Sequence, residues 1–321
     1  MNNEIVSALL RSENPTVRYY TLTGPAGRSD NDPDVLPAKK AIMSDGPVPV
    51  ILGKQKPGGY WGRPEDFYMR SKYKGTVWNM TLLAELGADP ADKRIRAMCE
   101  FILTASYDPS NGGFTYSGHP DGVIPCLTGN MAWSLIRFGY AEDPRVRKSL
   151  EWMSEYQRYD DGDGKPGKEA FYRFDKCWGK HTCHHGVVKM LKAFAEIPAG
   201  ARTDKMNAAI EKGVEYILIH RIYKSSRNPS RAVMKRWMEF GFPHMWNSDI
   251  IEVLSILAKL GVRDPRTNDA VELMLSKRLP DGWWINEHNH HGCLAVAIEK
   301  QGAPSEWVTL NALKVIEYYG R

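Results

Sequence analysis

The segment from Thr76 to Thr104, TVWNMTLLAELGADPADKRIRAMCEFILT, decides the fold. Its first half is apolar, its second half is charged and amphipathic, and neither shows the period of two that marks a strand. Between them, Gly87-Ala-Asp-Pro90 stops one helix and starts another: glycine serves a helix C-terminus, Asp89 is placed to cap, and Pro90 suits a first helical position. An apolar first helix belongs inside, and a half-polar second one faces water.

The joint recurs as Ala141-Glu-Asp-Pro144 and Gly261-Val-Arg-Asp-Pro265. The spacing predicts six helical pairs, a hairpin repeat of ~50 residues. The pairs are Glu4 to Thr21 with Asp34 to Gly53, Thr76 to Leu86 with Ala91 to Thr104, Leu127 to Phe138 with Pro144 to Gln157, Cys183 to Ile197 with Thr203 to His220, Ser248 to Leu260 with Pro265 to Lys277, and Gly292 to Lys300 with Ser305 to Tyr319. Loops between pairs carry glycine, in most cases with a following aromatic residue: Gln55-Lys-Pro-Gly-Gly-Tyr-Trp61, Asn111-Gly-Gly-Phe114, Asp161-Gly-Asp-Gly164 and Pro280-Asp-Gly-Trp-Trp284. Six such hairpins close into a ring. The expected fold is a single all-α domain over residues 1–321, an (α/α)6 toroid around a central cavity.

Composition sets the outer bounds. With 42% hydrophobic and 25% charged residues among 321, the chain is an ordinary globular one, and a repeat architecture explains how one domain reaches this length. A net charge of +5 without a continuous basic block gives no reason to expect nucleic acid. No apolar run is long enough for a membrane span, and MNNEIVSALLRSENP does not read as a signal peptide. The five cysteines, an odd number, fit reduced thiols in a cytoplasm.

Reactive side chains concentrate between Asp175 and Gly186, in the run Asp-Lys-Cys-Trp-Gly-Lys-His-Thr-Cys-His-His-Gly. In a ring of parallel inner helices the N-termini open on one mouth. That mouth would gather Tyr73 and Lys74, Cys126, Cys177 to His185, His244 and Asp249, and His288, His290 and His291. Helix N-termini lower a thiol's pKa and favour anions. Tyr73, Trp78, Trp133, Trp178 and Trp246 lie on or just before inner helices, which suits a flat or branched apolar ligand as well as ordinary packing.

On these repeats the chain resembles the α/α toroid shared by squalene-hopene cyclases and the β-subunits of protein prenyltransferases. The Gln55 to Trp61 segment is similar to a shortened glutamine-tryptophan repeat, although Arg278 stands where glutamine is expected before Pro280-Asp-Gly-Trp283. The Asp-x-Asp-Asp acid of the cyclases is absent, and Asp160-Asp-Gly-Asp163 lacks the Asp-Asp-x-x-Asp spacing that holds diphosphate. The prenyltransferase resemblance implies a zinc site of Asp175, Cys177 and His244, three ligands with an open fourth position. Trp178 replaces the tyrosine that family has after its cysteine, and Arg173-Phe-Asp-Lys176 overlaps the Asp-x-Cys instead of preceding it, which argues against a diphosphate leaving group.

The residues also allow chemistry without a metal. His181, His184 or His185 beside Cys126, Cys177 or Cys183 makes a Cys/His acid–base or nucleophile pair, with Asp249 or Asp175 orienting an imidazole. Adjacent His184 and His185 are not both expected to point inward. In this the chain resembles toroid dehydratase-isomerases of isoprenoid alcohols. The functional expectation is therefore an enzyme on a hydrophobic, isoprenoid-like or aromatic small molecule, a lyase, isomerase or transferase, with Tyr73, Cys126, His181, His184 and Asp249 as acid–base groups. The blander alternative is a non-catalytic helical-repeat protein in which Cys177 is a buried thiol and Asp175 a helix cap. Asp161-Gly-Asp-Gly164 reads as a turn, since a calcium loop's twelfth-position glutamate is missing. Lys224 to Arg231 and the histidines of Asn286 to Gly292 read as solvated loops. A homo-oligomer is compatible with all of this.

Overall fold

The computed structural model describes residues 3–165, 167–290 and 293–320. Fourteen helices account for the described architecture; strand is confined to the two-residue pair β1 (Trp284–Ile285) and β2 (Pro304–Ser305). The four central pairs lie where the apolar spacing puts them: α5 (Thr76–Glu85) with α6 (Lys93–Ala105), α7 (Pro125–Arg137) with α8 (Pro144–Tyr156), α10 (His184–Ala195) with α11 (Asp204–Ile219), and α12 (Ile250–Lys259) with α13 (Asn268–Ser276). A four-residue helix, α9 (Asp175–Trp178), precedes α10.

The first member of each pair is buried over nearly its whole length. The second is amphipathic; in α6 only Ile95, Met98, Cys99, Ile102 and Leu103 are buried, one stripe of a 3.6-residue period. Asp92, not Asp89, caps α6. Its carboxylate accepts the Arg94 backbone N–H at 2.7 Å and also binds the Arg94 guanidinium. Asp143 with Arg145 and Asp264 with Arg266 repeat the arrangement, so Asp-x-Arg starts three of the four second helices, while Thr203 caps α11 through the Met206 N–H.

The glycine-aromatic loops have one geometry. The backbone N–H groups of Trp61, Phe114 and Trp284 each donate to a threonine hydroxyl in the first turns of the next buried helix: Thr76 of α5, Thr128 of α7 and Thr309 of α14 (Glu306–Tyr319), at 3.0–3.1 Å. The indoles of Trp61 and Trp284 donate to Ile51 and Met274 carbonyls. Gly59 lies against α6 with φ +88°, and a Cβ there would stand 2.2 Å from the Ala97 carbonyl oxygen. The Asp161 loop departs from this pattern: it has no aromatic to dock, and its acids bond Arg158, His220 and Ser226 instead.

Both terminal pairs differ from expectation. The two N-terminal helices are each broken, into α1 (Asn3–Leu10) and α2 (Pro15–Thr23), then α3 (Val35–Ser44) and α4 (Pro47–Leu52). A proline opens each second piece, preceded by Asn14 as cap in one case and by Gly46 at φ 72° in the other. The sixth pair is not a hairpin. Residues 293–300 are not helical, His291 and Gly292 lie outside the described residues, and α14, expected on the outside, is a buried helix. Trp284 docks on α14 as Trp61 docks on α5, so α14 takes the place of a buried first helix in the repeat.

Buried helices pack in the order α5, α7, α10, α12, α14, α2, each on the next. The Thr16 hydroxyl of α2 then donates to the Leu86 carbonyl just beyond α5, at 2.9 Å. Among the described residues no helix is long and apolar enough to cross a membrane.

Replacing Gly59 by alanine should cost about 2 kcal/mol or more, because positive φ and a backbone collision act together. Gly62→Ala, with φ 75° and open space around the new methyl, should cost only ~1 kcal/mol. Urea denaturation of the two variants, compared by midpoint, checks the order.

Candidate active site at the helix N-termini

Cys126 sits in the first turn of α7, directly after Pro125, and is 5% exposed. Its sulfur accepts the Cys177 thiol and the Tyr68 hydroxyl and is reached by the Leu127 backbone N–H. The Cys177 bond, aided by the Lys189 ammonium and the backbone donors, outweighs burial and lowers the Cys126 pKa. Its neighbours move the other way. The Cys126 bond and burial push Cys177 far up, and burial pushes Cys183, the residue ahead of α10, up to about 12. Of these three sulfurs, Cys126 alone has its pKa moved down, and the Cys177 thiol and the Tyr68 phenol are its neighbours.

This sulfur lies in a pocket of about 420 Å³ whose walls include Met69, Ile124, Phe174 and Trp246. His184 and His185 both line it, contrary to the expectation that only one could face inward. Two consecutive residues manage this because they occupy the first turn, where α10 ends against the pocket rather than beside it. His185 stacks on Trp237 at 5.2 Å and 5° and meets Trp246 edge-on; neither ring nitrogen has a hydrogen-bond partner. His184 Nδ1 is 2.9 Å from the Tyr216 hydroxyl, and its Nε2 has no partner. Burial pulls both imidazoles down to about 3, so they are neutral at ordinary pH.

The remaining expected site residues divide. Tyr73 accepts the Trp246 indole N–H at 2.8 Å and packs on His290, placing it behind the pocket wall. His181 is exposed and lines a separate cleft of about 570 Å³ with His184, Tyr216, His220 and Arg227, so it is not brought to Cys126. Asp249 caps α12 through the Glu252 N–H, and its second oxygen is 2.9 Å from His244 Nε2. Burial opposes a charge on His244, but Asp249 and Glu252 prevail and raise its pKa.

The expected zinc ligands are not brought together as a metal site. Asp175 is exposed on the four-residue α9, Cys177 is bonded to Cys126, and His244 is paired with Asp249. Among the described residues no three His, Cys, Asp or Glu side chains gather to hold an ion. The donor set does not fit zinc, because Asp175, Cys177 and His244 do not converge on one point.

Tyr68 and Trp237 carry no signal in the sequence, since their contacts with residues 126 and 185 arise only when separate hairpins meet. Lys189 and Lys192 did carry one: two lysines three apart inside the apolar run of α10 require buried partners. Those partners are Glu252, 2.7 Å from Lys189 and 2.9 Å from Lys192, and Glu85 on Lys192.

No family model matches the chain, and no curated protein matches it. Among solved structures it is similar to a type II terpene cyclase, MstE from Scytonema. A variant with geranylgeranyl dihydroxybenzoate bound is 16% identical, with a TM-score of 0.42, over 96% of this chain and 87% of that one. The apo form is 12% identical, with a TM-score of 0.31, over 87% of this chain and 95% of that one.

A pH dependence follows from the two imidazoles. The folded state leaves them neutral down to about 3, whereas an unfolded chain protonates them at 6.5. Their contribution is therefore complete above pH 6.5 and is lost as pH falls toward 3, at about 1.4 kcal/mol per pH unit for each. Urea midpoints should fall between pH 6.5 and 5, and His185→Phe, which keeps the stack on Trp237, should give a shallower slope.

Proposed function

We propose that this protein is an enzyme that acts on an apolar, isoprenoid-like or aromatic small molecule by metal-free Cys/His chemistry, as a lyase or isomerase. The observation that carries this reading is the Cys126 sulfur, held at a helix N-terminus by Cys177 and Tyr68 and facing an apolar pocket with two neutral imidazoles. Such a sulfur takes a proton from a substrate carbon, and the Tyr68 hydroxyl or Cys177 thiol gives one to a leaving hydroxyl, which departs as water. Returning the proton to a different carbon gives isomerisation instead. Neutral His184 or His185 serves as the second acid–base group.

We read the cyclic order of packed helices as an α/α toroid whose inner ring is α2, α5, α7, α10, α12 and α14. In that frame α1, which reaches Gly282 through Ile5, fills the outer position that a sixth hairpin would have supplied. Five cysteines without a disulfide among the described residues fit a reducing, cytoplasmic setting.

Iodoacetamide labelling followed by peptide mass analysis tests the site. Cys126 should be modified first, with an alkylation pKa below that of an ordinary thiol, and Cys177→Ala should raise that pKa. Cys126→Ala should abolish turnover of isoprenoid alcohols while leaving the unfolding free energy from urea titration within ~1.5 kcal/mol of the parent. A Cys126 that stays unlabelled from pH 6 to 9 in folded protein would rule the thiolate mechanism out.

A further inference from the structure

A second cavity, of about 290 Å³, lies toward the opposite ends of the same helices and is independent of the thiol chemistry. It draws residues from α2, α5, α7, α10, α12 and α14. Its walls are strongly charged, and the carboxylates on them are all paired: Glu85 with Lys192, Glu252 with Lys189 and Lys192, and Glu196 with Lys259 at 2.5 Å. Two cations on its wall stand outside these pairs, Arg137, which is exposed to solvent, and half-buried Lys314. Arg137 donates to the Tyr20 hydroxyl at 2.7 Å, and the Lys314 ammonium lies 4.9 Å from the centre of the Tyr20 ring. Among the described residues neither has a carboxylate within ion-pairing distance.

Arg137 closes α7, where helix carbonyls favour a cation on their own account. Lys314 has no such explanation, because it lies in the middle of α14. Burial and the charge of Arg137 pull its pKa down to about 8, the mark of an ammonium lacking its counter-ion. Trp307, one face of the same cavity, is 2% exposed with its indole N–H unpartnered, and Trp133 forms another wall.

We propose that this cavity binds a small organic carboxylate, its anionic end between Arg137, Lys314 and the Tyr20 hydroxyl and its flat apolar body between Trp133 and Trp307. A carboxylate would neutralise both surplus cations, and arginine offers it two parallel donors. An apolar guest without charge would displace the water that solvates them and offer nothing in its place.

Calorimetric titration of the full chain with acetate, benzoate and 2-naphthoate, against the neutral 2-naphthylmethanol, tests this. Affinity should rise from acetate to naphthoate, and the alcohol should bind at least tenfold more weakly than naphthoate. Arg137→Gln and Lys314→Gln should each weaken naphthoate about tenfold or more, by loss of a charge-assisted hydrogen bond. The unmodified protein supplies a readout that does not depend on how the variants fold. Lys314 faces Arg137 of α7, Glu85 of α5, Tyr20 of α2 and Glu317 of its own helix, and naphthoate binding should weaken as pH rises through about 8. Absence of binding for all three carboxylates, equal affinity for the alcohol, or variants that bind like the parent with no pH dependence would overturn the proposal.

Discussion

Four charges inside the molecule constrain the helices around them. Lys189 and Lys192 of α10 both hold Glu252 of α12, Lys192 also holds Glu85 of α5, and Lys189 donates to the Asn247 carbonyl. Lys189 is fully buried and Glu252 nearly so. Burial opposes ionisation of Glu252, yet two adjacent ammonium groups keep its carboxyl far below the usual range. A buried pair of this kind is not a strong source of stability, but leaving one member alone costs about 3–5 kcal/mol. The relative placement of three buried helices is therefore tied to this network, α10 to α12 through Glu252 and α10 to α5 through Glu85.

Close backbone approach makes that arrangement possible. Gly129 of α7 faces Lys189 so tightly that a Cβ would lie 2.5 Å from the lysine's carbonyl carbon. α7 thereby reaches the helix bearing the central lysines, and the start of α7 comes level with the start of α10. That alignment puts Cys126 beside the segment carrying Cys177 and Cys183. Lys189 then acts in both directions, pairing with Glu252 and lowering the pKa of Cys126.

The two ends of the helix set differ in chemistry because helices are polar objects. N-terminal ends gather Cys126 with its lowered pKa, two neutral imidazoles and an apolar pocket. The opposite ends gather Arg137 and Lys259 on the last turns of α7 and α12, with Lys192 and Lys314 further in. Partial positive charge at the first end supports an anionic sulfur, and partial negative charge at the second supports cations. Each end is suited to a different ligand for the same electrostatic reason.

Sequence alone determined the helical class and the four central pairs, because these depend on local spacing, glycine stops and capping residues. It misplaced what depends on longer range. Asp92 was passed over for Asp89 because both precede a helix, and only the Arg94 guanidinium distinguishes them. The burial of α14, expected on the outside, goes with Trp284 docking against Thr309. Cys177 was matched to Asp175 and His244 by chain order, whereas the fold gives it to Cys126, because the loop before α10 packs on the start of α7. Tertiary structure alone decided which donors share a neighbour and which cations are left without one. Side chains fifty or more residues apart are brought together by helix packing, and no local pattern in the chain encodes their distance.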